Sequence, residues 1–276
     1  MSQTNNRITV DGVALYYEDQ GQGQPIVFLH GIGATSYSWR KIAALLSHSY
    51  RTICFDLMGF GRSDKPKNEQ YTFKRQSELI IGAIRELGLI RPVLIGHSLG
   101  GGVCLSVIRE LGDNQDELSG LVLIDSACYP QKLPLCVKAF RIPVIPELVI
   151  KLLPERWGVV LISRSMYKNG IEPDTAEEYA RALHSRDAQA ALIATGRQIF
   201  PPDLPDFIAS YSRIRVPTLI LWGEHDRIIP QPLGRRLASD IKTAIFHQLP
   251  NCGHCPHEEK PDAVAEAINR FLDSAC

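Results

Sequence analysis

Residues 92–105 constrain the fold more than any other stretch of the chain. Pro92-Val93-Leu94-Ile95 is a continuous apolar run. Gly96-His97-Ser98-Leu99-Gly100 follows at once, and Val103-Cys104-Leu105 continues with helical character. This is G-x-S-x-G in the order strand, sharp turn, helix. Side chains at positions 96 and 100 would collide with the neighbouring chain, so both positions call for glycine. The turn sets Ser98 at a helix N-terminus, where free N–H groups and the dipole favour developing negative charge. The same five residues also fit a plain tight turn; the flanking strand and helix favour a nucleophile.

Similar apolar runs recur along the chain. Ile8 to Val10 and Leu15 to Tyr17 alternate like a hairpin around an Asp11-Gly12 turn. Pro25 to Leu29, Thr52 to Phe55, Pro92 to Ile95, Leu121 to Ile124 and Thr218 to Trp222 are solidly apolar. Strands of that kind are buried on both faces, as in a parallel sheet covered by helices. Helical patterns lie between them, near 37–47, 74–88, 99–111 and 231–239. A last helix is expected from Pro261, with Val264, Ala265, Ile268, Phe271 and Leu272 in one stripe. Such alternation predicts an open α/β sheet.

One segment breaks the rhythm. From Ala127 to Arg213 there is no strong strand pattern, but there are many prolines (Pro130, Pro134, Pro143, Pro146, Pro154) and aromatics (Tyr129, Phe140, Trp157, Tyr167, Tyr179, Phe200, Phe207, Tyr211). Thr175 to Leu183 and Asp187 to Thr195 read as helices. The expected organisation is a core of residues 1–126 and 214–276 with a helical insert, 127–213, at the carboxyl end of a strand, where such sheets hold ligands. The alternative is that 127–213 supplies further sheet-covering helices.

Composition narrows the function classes. With 276 residues, 45% hydrophobic and 22% charged, the chain has ample material for a core. Its 30 Lys+Arg balance 30 Asp+Glu, so it has no global basic field for nucleic acid or an anionic membrane. The N-terminus Met-Ser-Gln-Thr-Asn-Asn-Arg is not expected to be a secretory signal, and no run approaches a membrane span. Seven cysteines (Cys54, Cys104, Cys128, Cys136, Cys252, Cys255, Cys276) read as scattered thiols, which suits a reducing cytoplasm. Gly31 and Gly33, like Gly59 and Gly61, lack the third glycine of a dinucleotide fingerprint.

A second motif, His30-Gly31-Ile32-Gly33, follows the run Pro25 to Leu29. An oxyanion hole needs two N–H donors aimed at one point. Leu99, after the serine, would supply one and Ile32 the other. The competing reading is a glycine-rich turn with His30 as a satisfied structural histidine.

Together these motifs resemble the serine hydrolases of the α/β-hydrolase fold over nearly the whole chain. His30-Gly31 resembles their oxyanion loop. Asp56-Leu57-Met58-Gly59-Phe60-Gly61-Arg62-Ser63 resembles their D-x-x-G-x-G-x-S turn, and Gly96 to Gly100 their nucleophile elbow. The insert after Asp125 resembles their cap. The family order, Ser then acid then His, implies Ser98 as nucleophile, Asp226 as acid and His254 as base, with Glu224 a turn residue. Ser98 is weak until His254 takes its proton, and Asp226 would hold His254 in one tautomer. Rivals remain for the acid: Asp125 also ends a strand, and Asp56 ends another in a motif that looks like a self-capping turn. His97 and His225 are expected to bond locally; His48, His184, His247 and His257 stand in no motif. Cys252-Gly253-His254-Cys255 fits zinc or thiol exchange by spacing alone, but further ligands and a helix N-terminus are wanting.

The resemblance implies hydrolysis. A hydroxyl at position 98 excludes the carboxylate nucleophile of haloalkane dehalogenases and epoxide hydrolases. The meta-cleavage C–C hydrolases usually carry Asn where His97 stands and Trp where Cys255 stands. Ester cleavage through an acyl-enzyme on Ser98, carboxylesterase-like, is therefore the leading expectation, with a small apolar ester as substrate. C–C cleavage of vinylogous diketones, lactone cleavage and a hydrolase-like ligand receptor are the alternatives. No cofactor and no metal are required by the chemistry.

Overall fold

In the computed structural model, which describes residues 6–130, 155–198 and 201–275, the chain enters the fold through a hairpin. Asp11 and Gly12 both take positive φ, 47° and 79°, and this two-residue turn matches the twist of the strands it joins. Strands β1 (Arg7–Val10) and β2 (Val13–Gln20) pair antiparallel about it, Val10 opposite Val13. The strands that follow are β3 (Pro25–Leu29), β4 (Arg51–Phe55), β5 (Val93–His97), β6 (Gly120–Ile124), β7 (Thr218–Gly223) and β8 (Ala244–Leu249). They form one eight-stranded sheet in the order β1-β2-β4-β3-β5-β6-β7-β8, parallel from β4 to β8.

Every residue of β5, β6 and β7 is buried, as the unbroken apolar runs require. Strand β8 lacks such a run. Ala244 to Gln248 alternates between half-buried and exposed before the buried Leu249, because it is the edge strand, and the sequence pattern did not single it out.

Helices cover both faces. Helices α1 (Arg40–Leu46) and α10 (Pro261–Ala275) lie over one, where Ile42, Leu46, Val264, Ile268 and Phe271 pack on Phe28, Ile95 and Val122. Helices α2 (Phe73–Glu86), α3 (Leu99–Leu111) and α8 (Gln231–Asp240) lie over the other, with Ile80, Val103, Val107 and Leu237 against Val27, Leu94 and Ile220. The predicted stripe on the last helix is thus its buried face.

Between β6 and β7 the described chain is helical: α4 (Glu155–Met166), α5 (Pro173–Ala182), α6 (Arg186–Gln198) and α7 (Leu204–Ala209). The short α9 (Pro256–Glu259) precedes α10. Pro134, Phe140, Pro143, Pro146, Pro154, Phe200, Cys136 and Cys276 lie outside the described residues. Among the described residues, no helix is long and apolar enough to cross a membrane.

Chain order moves from β3 outward to β4, then returns to β5 on the other side of β3. Such a reversal opens a crevice at the carboxyl ends of the strands. The His30 loop leaves β3 there, Ser98 leaves β5, Asp125 leaves β6 and Asp226 follows β7.

Candidate active site

Ser98 sits between the last residue of β5 and the first of α3 with φ 50° and ψ −114°. A non-glycine residue in that region costs on the order of 1–3 kcal/mol. Packing around the turn enforces it. A Cβ on Gly96 would lie 2.4 Å from the carbonyl oxygen of Gly100, and one on Gly100 would lie 2.1 Å from that of Leu29. Both glycines are therefore there for space. The Leu99 N–H heads α3 without an intrahelical acceptor, while the Leu99 side chain is buried in the core. Ile32 lines the cavity beside Ser98.

Asp226 follows β7 in a tight turn. Its Oδ1 accepts from the N–H groups of Ile228 (2.7 Å) and Ile229 (2.9 Å). Its Oδ2 accepts from Nδ1–H of His254 at 2.8 Å. A carboxylate held by two backbone donors has one orientation, and it fixes the imidazole tautomer with Nε2 free of its proton. The side chains of His254 and Asp226 are 2% and 0% exposed. The His254 N–H donates to the carbonyl of Met166, at the end of α4, at 2.6 Å. The loop bearing His254 is therefore tied to the helical segment as well as to the sheet.

The other candidates separate. His30 is structural: Nδ1–H donates to the Gly31 carbonyl at 2.7 Å and Nε2 accepts from the Leu57 N–H at 3.0 Å. Asp56 is spent on loops, accepting from the N–H groups of Ser36 (2.6 Å) and Arg62 (2.7 Å). Asp125 has φ 43°, accepts from the Gly223 N–H at 2.9 Å and lies close to Asp226. His225 is half-buried with Nε2 3.6 Å from Glu224. His97 does not bond locally. Its Nε2–H donates to the carbonyl of His254, 157 residues away, at 2.7 Å, which leaves Nδ1 as a buried acceptor. Cys252 and Cys255 are free and buried, the Cys252 thiol donating to the Leu249 carbonyl. Burial pushes the Cys252 thiol up to about 12, so it holds no thiolate at neutral pH.

Ser98 and His254 open on one cavity of about 200 Å³, small against the usual range of ligand pockets. Ile32, Val159, Ile171, Leu183, Leu192 and Ile228 supply apolar wall. Among the described lining residues none is Lys or Arg. One side is polar. Burial, with the neighbouring His254 and Arg40, lowers the His257 imidazole to about 3. Burial pushes the Glu258 carboxyl up, while Tyr179 and Tyr167 draw it back down. Both tyrosine hydroxyls donate to Glu258 at 2.8 Å.

The Glu258 cluster escaped the sequence reading. Its tyrosines lie 91 and 79 residues away in sequence, so no spacing links them. The available signal was Pro256-His257-Glu258-Glu259, charged residues immediately after His254 that an exposed loop would not need to bury.

Asp125, Asp226 and His254 place ligand-type atoms within 4.8 Å of one another. Asp226 already accepts three N–H groups, His254 Nδ1 is one of those donors, and Asp125 Oδ1 is engaged by Gly223. The Asp226 and His254 atoms are thus committed to each other and to backbone donors, and among these ligand-type atoms Asp125 Oδ2 alone has no hydrogen-bond donor.

Comparison with known proteins agrees with this architecture. Residues 26–267 match the model of the alpha/beta hydrolase family. An uncharacterized hydrolase of Bacillus subtilis, YugF, is 32% identical over 96% of this chain and 97% of its own length. A 2-hydroxy-6-oxo-6-(2'-aminophenyl)hexa-2,4-dienoic acid hydrolase of Metapseudomonas resinovorans is 28% identical over 96% of this chain and 89% of its own. The solved structure of a thermophilic esterase from Thermogutta terrifontis superposes with a TM-score of 0.80 at 25% identity, covering 98% of this chain and 99% of that one. With an eight-stranded, mostly parallel sheet and a family match spanning most of its length, this chain belongs to the alpha/beta hydrolase family.

Proposed function

We propose that the protein hydrolyses small, largely apolar carboxylic esters through an acyl-enzyme on Ser98. The observation that carries this reading is the ordered set Ser98, His254 and Asp226. The serine and histidine line one cavity, and Asp226 holds His254 Nδ1–H at 2.8 Å. Ser98 Oγ attacks the ester carbonyl while His254 Nε2 takes its proton. The N–H groups of Ile32 and Leu99 receive the negative oxygen. His254 then protonates the leaving alkoxide, and water activated by the same nitrogen releases the acid. No cofactor enters this sequence.

Residues 127–213 serve as a cap in this reading, since Val159, Tyr179, Leu183 and Leu192 from that segment wall the cavity. The partner is a small molecule rather than nucleic acid or membrane, as the balanced charge suggests. Free buried thiols suit a reducing cytoplasm.

A second reading is C–C hydrolysis of a vinylogous diketone; the Metapseudomonas relative is named as the hydrolase of a hydroxy-oxo-dienoic acid. That substrate is an acid, and a buried carboxylate asks for a cationic partner. No described lining residue offers one, which favours an uncharged ester. Lactones fit the same chemistry.

Turnover of p-nitrophenyl esters from acetate to decanoate, wild type beside Ser98→Ala, tests the proposal. The expected loss in kcat is about 10⁴–10⁶-fold, with activity highest on short acyl chains. Equal rates in the two proteins would overturn the role of Ser98. An enzyme inert on every ester but active on a vinylogous diketone would establish the second reading instead. Tight retention of a ligand without turnover would mark a receptor.

A further inference from the structure

Asp125 is a buried carboxyl that the proposed mechanism leaves unused. It stands at the end of β6, one strand over from Asp226, in the positive-φ region at 43°. It is 0% exposed. Oδ1 accepts from the Gly223 N–H at 2.9 Å, on the strand that leads to Asp226. Oδ2 is buried and meets no N–H or O–H donor among the described residues. Beside it lies the Asp226 carboxylate; oxygens of both groups and a ring nitrogen of His254 fall within 4.8 Å of one another.

Two carboxylates this close, away from water, do not both ionise. Asp226 already has three N–H donors that stabilise its charge. Asp125 has one. The proton therefore belongs on Asp125, and there it has an acceptor. We propose that Asp125 is a positioning residue, a neutral carboxylic acid whose O–H donates to Asp226. It would be the fourth support that sets the direction and basicity of the carboxylate facing His254. The inference rests on the proposed roles of Asp226 and His254.

The remaining ionisable neighbours fit a neutral Asp125. Besides Asp226 and His254, its field reaches Glu259, Cys252 and Cys255. Glu259 adds negative charge, and both thiols are pushed up by burial. Burial pushes the Asp125 carboxyl well up, and the Asp226 charge and a hydrogen bond with that carboxyl act in the same direction.

The reading separates neutral from charged Asp125 by experiment. The pH dependence of kcat/KM on p-nitrophenyl butyrate is measured for wild type, Asp125→Asn and Asp125→Ala. An amide keeps an acceptor for Gly223 and a donor for Asp226. Asp125→Asn is expected to restore most of the activity that Asp125→Ala loses, roughly 10-fold or more, and to hold the acidic limb at its wild-type position. Asp125→Ala removes the donor, leaves Asp226 more basic and moves the acidic limb upward in pH. If Asp125 were ionised, Asp125→Asn would remove a negative charge and move that limb downward, which overturns the proposal. Asp125→Ala with wild-type rate and limb would overturn it too. If Asp125→Ala does not fold, the limb of Asp125→Asn decides alone. Following the His254 ring by NMR in the same proteins reads the shift without any ester, so failure of the ester reading remains distinguishable from failure of this one.

Discussion

The carboxyl edge of the sheet and the helices between β6 and β7 face each other across the cavity, but different forces hold them. At the sheet edge, β5 to β7 bury every residue, and large apolar side chains such as Phe28, Ile95, Leu123 and Trp222 fill the interior. Backbone atoms crowd the elbow so closely that glycine alone fits. The helices bury a mixture of small and large groups: Thr175, Ala176 and Tyr179 on α5, Ala188, Ala191, Ile193 and Thr195 on α6, and Phe207 on α7. Polar contacts add to this attachment. Arg40 reaches Glu172 and Thr175, Lys41 reaches Glu172, and Glu259 receives the N–H groups of Lys168 and Asn169. The sheet edge thus fixes chemistry through backbone geometry, whereas the helices shape the cavity through side chains that can change without unmaking the fold.

That division predicts effects of decreasing size. The largest outside Ser98 belongs to Asp226→Asn. Losing the carboxylate that selects the His254 tautomer should lower kcat by about 10⁴-fold with KM little moved. A loss below tenfold would place the acid elsewhere. Next comes Gly100→Ala, whose Cβ would meet the Leu29 carbonyl at 2.1 Å. Denaturant unfolding should show a loss of about 3 kcal/mol or more, and an unchanged midpoint would mean that the elbow is softer than its packing implies.

Acid should act between the two regions, on the histidines under the cavity. His257 is held neutral when folded, at about 3 by burial, against an ordinary value near 6.5. Because the folded value is lowered, the unfolded chain binds the proton first. Stability is therefore intact above about pH 6.5 and lost progressively as pH falls toward about 3. The linkage is on the order of 3 kcal/mol by pH 4. Glu258 opposes this in part, since its raised carboxyl regains stability as it protonates. Thermal melts from pH 7 to pH 4 should show a smaller drop for His257→Gln than for wild type; parallel curves would remove His257 from the account.

The smallest effect is expected on the helical side. Tyr179→Phe removes one of two hydroxyls donating to buried Glu258 and should cost about 1 kcal/mol of stability. It should raise KM a few-fold while kcat holds within a few-fold. A kcat loss approaching that of Asp226→Asn would erase the distinction between the two regions.

Much of this architecture was legible before any coordinates. The strands β3, β5, β6 and β7 announced themselves because burial on both faces leaves a continuous apolar run along each, with polar residues only at the ends, as His97 of β5 and Thr218 of β7. The hairpin followed from Asp11-Gly12, and the stripe from Val264 to Leu272 became the inner face of α10. Strand β8 did not show, because an edge strand exposed on alternate residues lacks a continuous apolar run.

Of the candidate site, Ser98 was nameable from its own motif between strand and helix, whereas Asp226 and His254 were implied by the resemblance to serine hydrolases, through the order Ser, acid, His. What tertiary structure alone decided is which groups share a dielectric environment. Asp125 and Asp226 end neighbouring strands 101 positions apart in sequence and meet within a few ångströms. His97 reaches the carbonyl of His254 across 157 positions, and Glu258 gathers tyrosines from two helices. Sequence spells out periodicity and turn chemistry because those act over a few residues. Protonation, desolvation and shared hydrogen bonds depend on distance in space, and only the folded sheet sets those distances.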